Sequence, residues 1–293
     1  MSIFRKKIAL ISILCFILYP LFLNSEEQTR SSKRGICFNK LTPEQAQMLS
    51  KGVSWCYNWH FTADEFLIKE DSPIEFYPMV WGAHQGQLDG LKEFFEKGFK
   101  AKYVLAINEP NLKDQAFITP EMCAKWYINI KDLAEKYGVE TIGPHMAIGS
   151  SIEASIKAFD PIEKKELTYT YMVPYLNAFY HFIGENQKIR AIAVHSYGNI
   201  GELRWVVDEL HKKYNKAIWV TEFAWWGAKN EKELLQYMKE AVIFFELSPY
   251  VEKYAWFKAD FGDNKMSLIS KDGKTLTKLG ELYIKLPVIK DSP

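Results

Sequence analysis

The sequence predicts a single-domain α/β protein built as a (β/α)8 TIM barrel, and three observations support this fold class. Eight short runs rich in β-branched and aromatic residues recur along the chain, and stretches with helical periodicity lie between them. No linker rich in Pro, Gly or Ser interrupts the chain between 33 and 286. Alternating strands and helices are typical of a mostly parallel sheet covered by helices, and eight repeats in about 260 residues match this barrel. We therefore expect one domain at 33–288.

The eight predicted strands follow one another at spacings of roughly 20 to 45 residues. They are the segments 34–38, 52–59, 75–82, 101–109, 141–147, 189–198, 217–226 and 252–260. A doubly wound open sheet is the competing architecture, but no Gly-x-Gly-x-x-Gly motif follows the first strand. The pattern therefore favours the barrel.

Helix signals lie between the predicted strands. Thr42 and Thr119 each precede a proline, as a capping residue does at the start of a helix. Apolar residues three or four positions apart mark two more helices, in the segments 203–210 and 234–245. In a barrel the catalytic groups lie at the carboxyl ends of the strands, and that is where functional residues are to be sought.

The N-terminal segment has the pattern of an export signal. Arg5, Lys6 and Lys7 precede a run without charged residues from 8 to 23. A basic region followed by an apolar region is typical of a secretory signal peptide, although an uncleaved N-terminal anchor remains the alternative for residues 1–25. We therefore expect a protein that is secreted, periplasmic or attached to the cell surface, with no other membrane association.

Composition excludes several classes of partner and cofactor. The net charge is +1 and no basic block with interleaved aromatics occurs, so nucleic acid is not an expected partner. Neither His-x-His on the first strand nor HExxH on a helix is present, and we expect no metal and no cofactor. A mononuclear metal site remains the competing interpretation of four histidines near predicted strand ends, which are His60, His84, His145 and His195.

Two glutamates lie at the ends of predicted strands. Glu109 ends an apolar strand and is followed by Pro110, which has no N–H to continue a ladder. Glu222 ends another apolar strand, and these strands are fourth and seventh in order. Their carboxyl groups can therefore converge across the mouth of a barrel. Paired carboxylates hydrolyse glycosidic bonds, with retention when about 5 to 5.5 Å apart and inversion when about 6.5 to 9.5 Å apart.

Six ordered motifs and a terminal one resemble glycoside hydrolase family 128, whose members are β-1,3-glucanases on a (β/α)8 barrel. They are VSWCYNW, YPMVWG, AINEP, AVHSYG, WVTEFAW, YAWF and LTKLGELY, and they cover about 34–286. The resemblance implies that Glu109 is the general acid/base and Glu222 the nucleophile of a retaining mechanism. It also implies that Asn108 binds a sugar hydroxyl and that His195 and Tyr197 contact the substrate or Glu222. A strand-end cap for Asn108 and a core position for His195 remain the alternatives.

The chain is rich in aromatic residues, with 9 Trp, 16 Tyr and 19 Phe. Indole and phenol rings stack on the C–H faces of sugars, so tryptophans near strand ends are candidate substrate platforms, although core packing is the alternative for each. The candidates are Trp59, Trp81, Trp225, Trp226 and Trp256, with Trp81 and Trp256 favoured by the resemblance. Trp126 and Trp205 fall on helical stripes, and we expect them in the core.

The sequence therefore predicts an exported, monomeric, endo-acting glycoside hydrolase whose partner is a β-glucan. The alternatives are a β-glucan-binding protein on the same barrel that is weak or inactive as an enzyme, and a glycosidase for another β-glycan. The long stretch 148–170 is expected to be either a wall of the substrate groove or a disordered surface insert.

Overall fold

The computed structural model describes residues 30–185, 187–262 and 264–288. The predicted signal peptide or anchor at 1–25 lies outside these ranges. Within them, no helix combines the length and the apolar character needed to cross a membrane.

Every one of the eight predicted runs contains at least one strand. Two runs are divided in two, at Pro78 and at Pro144, because proline has no N–H for the ladder. The strands are β1 Arg34–Cys37, β2 Trp55–Tyr57, β3 Glu75–Phe76, β4 Met79–Val80, β5 Tyr103–Ala106, β6 Glu140–Ile142, β7 His145–Ala147, β8 Lys157–Asp160, β9 Lys165–Thr168, β10 Ala191–Ser196, β11 Ala217–Phe223 and β12 Val251–Trp256.

The central strands pair in parallel throughout. One sheet has the order β3-β2-β1-β12-β11-β10-β7, and a second has the order β4-β5-β6. The first strand of the domain therefore pairs with the last, through Arg34 and Tyr254. The architecture is an α/β fold with a mostly parallel central sheet, which brings the carboxyl ends of the strands to one side of the molecule.

Eight α-helices are described, and both predicted caps are present. The Thr42 side chain accepts from the backbone N–H of Gln45 in a capping box, and the Thr119 side chain accepts from Met122 N–H. The helices are α1 Pro43–Leu49, α2 Glu65–Ile68, α3 Gln85–Glu96, α4 Pro120–Lys136, α5 Met172–Ile183, α6 Ile200–Tyr214, α7 Glu231–Leu247 and α8 Lys278–Lys285.

Side chains of the strands alternate between two buried layers. One layer packs the sheet against the helices, and the other consists of residues of the parallel strands together with Tyr77 between β3 and β4; we call the second layer the inner cluster. Its members are Cys37, Trp55, Tyr57, Tyr77, Met79, Tyr103, Leu105, Ile142, Ala191, Ala193, Trp219 and Ala255. Five of these twelve residues are aromatic, so part of the aromatic content fills the space that the parallel strands face.

The expectation that Trp205 lies in the core is wrong. Its side chain is 50% exposed and stacks on Tyr171, with ring centroids 6.1 Å apart. The buried stripe of α6 contains Leu203, Val206 and Val207, and Trp205 points away from that face. Trp126 is half-buried and packs against the core.

The segment 148–170 is an ordered antiparallel hairpin of β8 and β9. The Asp160 carboxylate accepts from the hydroxyl of Tyr169 and from two backbone N–H groups in the turn, which holds the hairpin together. The 3₁₀ turn Ile152–Ala154 before the hairpin contacts the loop that follows Glu109, since Lys113 N–H donates to Ala154 O at 2.8 Å. Of the two interpretations of 148–170, a regular hairpin near this loop favours a wall of the substrate groove over a disordered surface insert.

Candidate active site

The two predicted carboxylates converge on one imidazole. His195 Nδ1 lies 2.8 Å from Glu109 Oε1, and His195 Nε2 lies 3.4 Å from Glu222 Oε1. All three side chains are buried at the carboxyl ends of their strands. A single ring links the two carboxylates, so their nearest oxygens are less than about 9 Å apart, a bound that includes both the retaining and the inverting separation.

The backbone after β5 turns sharply to bring Glu109 into this position. Ile107 has φ +63° and Glu109 has φ +41°, which are left-handed conformations that cost free energy in residues other than glycine. The turn is held by hydrogen bonds to the neighbouring strand, because Glu109 N–H donates to His145 O at 2.7 Å. Strained backbone at the end of a strand is typical of a functional position.

A β-bulge directs Glu222 to the same centre. Val194 pairs with Val220 and His195 pairs with Glu222, so Thr221 is an extra residue in β11. Trp219 belongs to the inner cluster, and strict alternation would therefore direct residue 221 inward and residue 222 outward. The bulge reverses this parity and places the Glu222 carboxylate beside His195.

Glu222 accepts three side-chain hydrogen bonds. Tyr57 Oη donates to Oε1 at 2.9 Å, Trp59 Nε1 donates to the same oxygen at 2.7 Å, and Tyr197 Oη donates to Oε2. Burial, together with the nearby Glu109, raises the pKa of Glu222, while His195 and the donors from Tyr197 and Trp59 act in the opposite direction. Burial prevails in the net direction, while the three donors fix the orientation of the carboxylate and partly offset the rise.

Glu109 has a different environment from Glu222. Among the residues that the structure describes, its carboxylate has one hydrogen-bond partner, His195 Nδ1, a group that can hold or release a proton. Burial opposes protonation of His195, but the charges of Glu222 and Glu109 prevail and raise its pKa. A proton is therefore available at the Glu109–His195 contact, whereas Glu222 is surrounded by donors. The two carboxylates therefore have different environments, as the two acids of a glycosidase do.

Asn108 and His145 complete the surroundings of the two acids. Asn108 is buried, its Nδ2 donates to Gln115 Oε1 at 2.9 Å, and its Oδ1 has no hydrogen-bond partner among the described residues. His145 is fully buried, with Nδ1 2.8 Å from Thr221 Oγ1 and Nε2 3.2 Å from Ile142 O. Through Thr221, His145 supports the bulge that positions Glu222.

His145 gives the folded state a specific pH dependence. Burial and the neighbouring His195 lower its pKa well below the usual 6.5. As pH falls below about 6.5, the unfolded chain binds a proton at this residue and the folded protein does not, so the free energy of unfolding decreases. We expect His145→Gln to flatten the loss of stability between pH 6.5 and 5 by up to about 1.4 kcal/mol per pH unit, measured by urea denaturation.

His84 is the matched control for this prediction, because it is exposed. His84→Gln is expected to leave the pH dependence of the unfolding free energy unchanged. Identical slopes for the wild type and His145→Gln would show that His145 is not held neutral in the folded protein.

Four of the five predicted tryptophan platforms fall into three groups. Trp59 and Trp81 are half-buried and pack on the inner cluster, and Trp59 in addition donates to Glu222. Trp225 packs on Tyr237, with ring centroids 5.9 Å apart, and lines a cavity of about 480 Å³ between α6 and α7 rather than the carboxylate pair. Trp226 is exposed and packs on Tyr197 at 5.7 Å.

The expectation that Trp256 binds substrate is wrong. Trp256 is fully buried, its Nε1 donates to Met266 O at 2.8 Å, and its ring packs on Phe223. Ala255 belongs to the inner cluster, so alternation turns Trp256 towards the helices and Phe257 towards the site. The Phe257 ring is half-buried and lies 5.7 Å from Trp59 and 5.4 Å from Tyr197.

Tyr57, Phe257 and Thr221 are site residues that the sequence did not identify. Tyr57 carried a signal, because it alternates with Trp55 and Trp59 on one strand face. The other two depend on pairing between strands and gave no local signal.

The histidines of the competing metal interpretation are separated. His60 and His84 are exposed, while His145 and His195 lie in the site with ring centroids 6.1 Å apart. In the ranges that the structure describes, no group of three or more His, Cys, Asp or Glu side chains has the arrangement of a metal site.

Comparison with known proteins gives consistent matches over the described domain. The family described as "Glycosyl hydrolase catalytic core" matches residues 35–283. A family 128 (subgroup II) endo-β-1,3-glucanase from Pseudomonas viridiflava is 31% identical, with a TM-score of 0.75 over 89% of this chain and 100% of that chain. No curated protein sequence matches significantly.

Two further solved structures have the same fold. A family 128 (subgroup III) curdlan-specific exo-β-1,3-glucanase from Blastomyces gilchristii, in complex with glucose, is 25% identical, with a TM-score of 0.65 over 88% of this chain and 100% of that chain. A subgroup I endo-β-1,3-glucanase from Amycolatopsis mediterranei, in complex with laminaritriose, is 20% identical, with a TM-score of 0.65 over 86% and 98% of the two chains.

Proposed function

Since the chain belongs to the glycosyl hydrolase catalytic core family, and within it to glycoside hydrolase family 128, we propose that it is an exported enzyme that hydrolyses β-1,3-glucan by double displacement. The observation that carries this proposal is the convergence of Glu109 and Glu222 on His195 in a buried, strand-end site. The substrate class is supported by the endo-β-1,3-glucanase that is 31% identical.

The first step breaks the glycosidic bond and forms an ester. The ionised Glu222 carboxylate attacks the anomeric carbon, and Glu109 gives its proton to the departing glycosidic oxygen. Hydrogen bonds from Tyr57 and Trp59 hold Glu222 Oε1, so the attacking group is fixed before the substrate binds.

The second step releases the sugar and restores both acids. Glu109, now ionised, takes a proton from water as the water oxygen attacks the anomeric carbon, and the ester bond to Glu222 breaks. His195 stays beside both carboxylates, and its positive charge stabilises whichever of them is ionised. Asn108, adjacent to Glu109, is placed to bind the sugar 2-hydroxyl through its unpartnered Oδ1.

We extend the proposal to architecture, action and location. A closed (β/α)8 barrel at 33–288 is supported by the pairing of β1 with β12 and by the short interruptions at Pro78 and Pro144. We also propose that the protein is a monomer and that it cleaves within the glucan chain. The endo-acting relative that is 31% identical supports this mode of cleavage.

Export is proposed from the basic and apolar pattern of residues 1–25. N-terminal sequencing of protein recovered outside the cytoplasm tests it.

The test is a reducing-end assay on laminarin and curdlan, with other β-glycans as a panel. We expect laminarin to be cleaved to oligosaccharides of several lengths and the first product seen by proton NMR to be the β-anomer. Release of the α-anomer first would contradict retention, and binding of laminarin without new reducing ends would favour the binding-protein alternative.

A further inference from the structure

Lys258 follows the end of β12 and has an unusual environment. Its side chain is only 7% exposed, and no carboxylate or other hydrogen-bond acceptor contacts its ammonium among the residues that the structure describes. Its stem is buried, but the nitrogen is not among the buried unpartnered polar atoms and so still reaches solvent, as a lysine ammonium usually does. Nothing in the mechanism above uses this ammonium.

The ammonium lies beside the catalytic centre, on the side that Trp59 covers. Lys258 Nζ is 5.9 Å from the centroid of the Trp59 ring and 5.0 Å from that of Phe261. The same Trp59 donates from Nε1 to Glu222, and its ring lies 5.7 Å from that of Phe257. The ammonium and the Glu222 carboxylate therefore both lie against the same aromatic side chain.

The neighbouring acid does not neutralise Lys258. The two carboxylate oxygens of Asp260 accept the backbone N–H groups of Asn39 and Lys40, at 2.9 and 2.8 Å. Aromatic faces attract a cation, but they accept none of its three N–H groups in the way that oxygen does. The donors of Lys258 remain available for an oxygen atom outside the protein.

We infer that Lys258 is a substrate-binding residue whose ammonium donates to a hydroxyl oxygen of the glucose unit that packs against Phe257 and Trp59, next to Glu222. The inference rests on the proposed function. It adds a hydrogen-bond donor to the aromatic surface that Phe257 and Trp59 form. A sugar hydroxyl displaces water from the ammonium and gains a charge-assisted hydrogen bond, while the rings cover the sugar's C–H face.

The experiment measures binding of laminarihexaose by calorimetry in a Glu222→Gln background, where hydrolysis does not interfere. Adding Lys258→Met keeps the length of the side chain and its packing on Trp59 but removes the ammonium. We expect affinity to fall about ten- to 150-fold, the range for a lost hydrogen bond to a charged group, with an unchanged melting temperature. Lys258→Arg retains the charge and is expected to recover most of the affinity.

The matched control is Lys40→Met, which removes an exposed positive charge at the same end of the strands and is expected to leave the affinity unchanged. The inference is overturned if Lys258→Met binds as tightly as its parent, or if Met and Arg lose affinity equally together with a drop in melting temperature. Absence of any laminarihexaose binding by the parent would instead refute the proposed function, and the inference with it.

Discussion

Replacing Glu222 with Gln is expected to lower kcat on laminarin by at least about a thousandfold, because the amide cannot form the ester with the anomeric carbon. Gln keeps the size of the side chain and an oxygen that accepts from Tyr57 and Trp59, so binding of laminari-oligosaccharides should remain measurable. Initial rates and calorimetry on the same preparation separate these two effects.

A chemical rescue identifies the role of Glu222 more sharply than loss of activity does. In Glu222→Ala, azide can enter the space left by the carboxylate and attack the anomeric carbon of an aryl β-laminaribioside. The phenol leaves and the product is the α-glycosyl azide. Glu209→Gln is the control, because Glu209 also accepts a hydrogen bond from a tyrosine, Tyr171, but lies on α6. Full activity of Glu222→Gln, or a β-azide product from Glu222→Ala, would contradict the nucleophile assignment.

Replacing Glu109 with Ala is expected to have an effect that depends on the leaving group. Protonation of the departing oxygen contributes about 10²- to 10⁴-fold, so turnover of laminarin should fall by that factor. An aryl β-glycoside with an acidic phenol leaves without a proton, and its bond cleavage should be nearly as fast as in the wild type, followed by slow release of the ester. A rapid burst of phenol before slow turnover is the diagnostic observation.

Azide again provides the second arm of this experiment. With Glu109→Ala, azide needs no general base and should accelerate the slow step, giving the β-glycosyl azide, the opposite anomer from that expected for Glu222→Ala. Equal losses on laminarin and on the activated substrate, with no burst, would show that Glu109 does not donate a proton to the leaving group.

Much of the fold could be predicted because its signals are local. Each predicted strand run contains a strand, and Thr42 and Thr119 cap helices as their sequence context indicates. The two catalytic candidates were also recognisable locally, since Glu109 and Glu222 are charged residues that end apolar runs. These features depend on a few neighbouring residues, and the sequence contains all of them.

The direction of side chains at the strand ends could not be predicted in the same way. Trp256 and Phe257 are adjacent aromatics, and either face of β12 carries apolar residues. Only the packing of Ala255 in the inner cluster decides that Trp256 faces the helices and Phe257 faces the site. Similarly, the interior position of Trp205 was expected from its helix, but the neighbouring stripe already fills the buried face.

The sequence by itself determined the order of strands and helices, the family motifs and the pair of glutamates. The tertiary structure decided which groups meet: the bulge at Thr221 turns Glu222 inward, His195 joins it to Glu109, and Lys258 comes to lie against Trp59. The reason is that strand pairing connects residues far apart in the chain. A shift of one residue in that pairing moves a side chain to the other face of the sheet, and no local pattern records it.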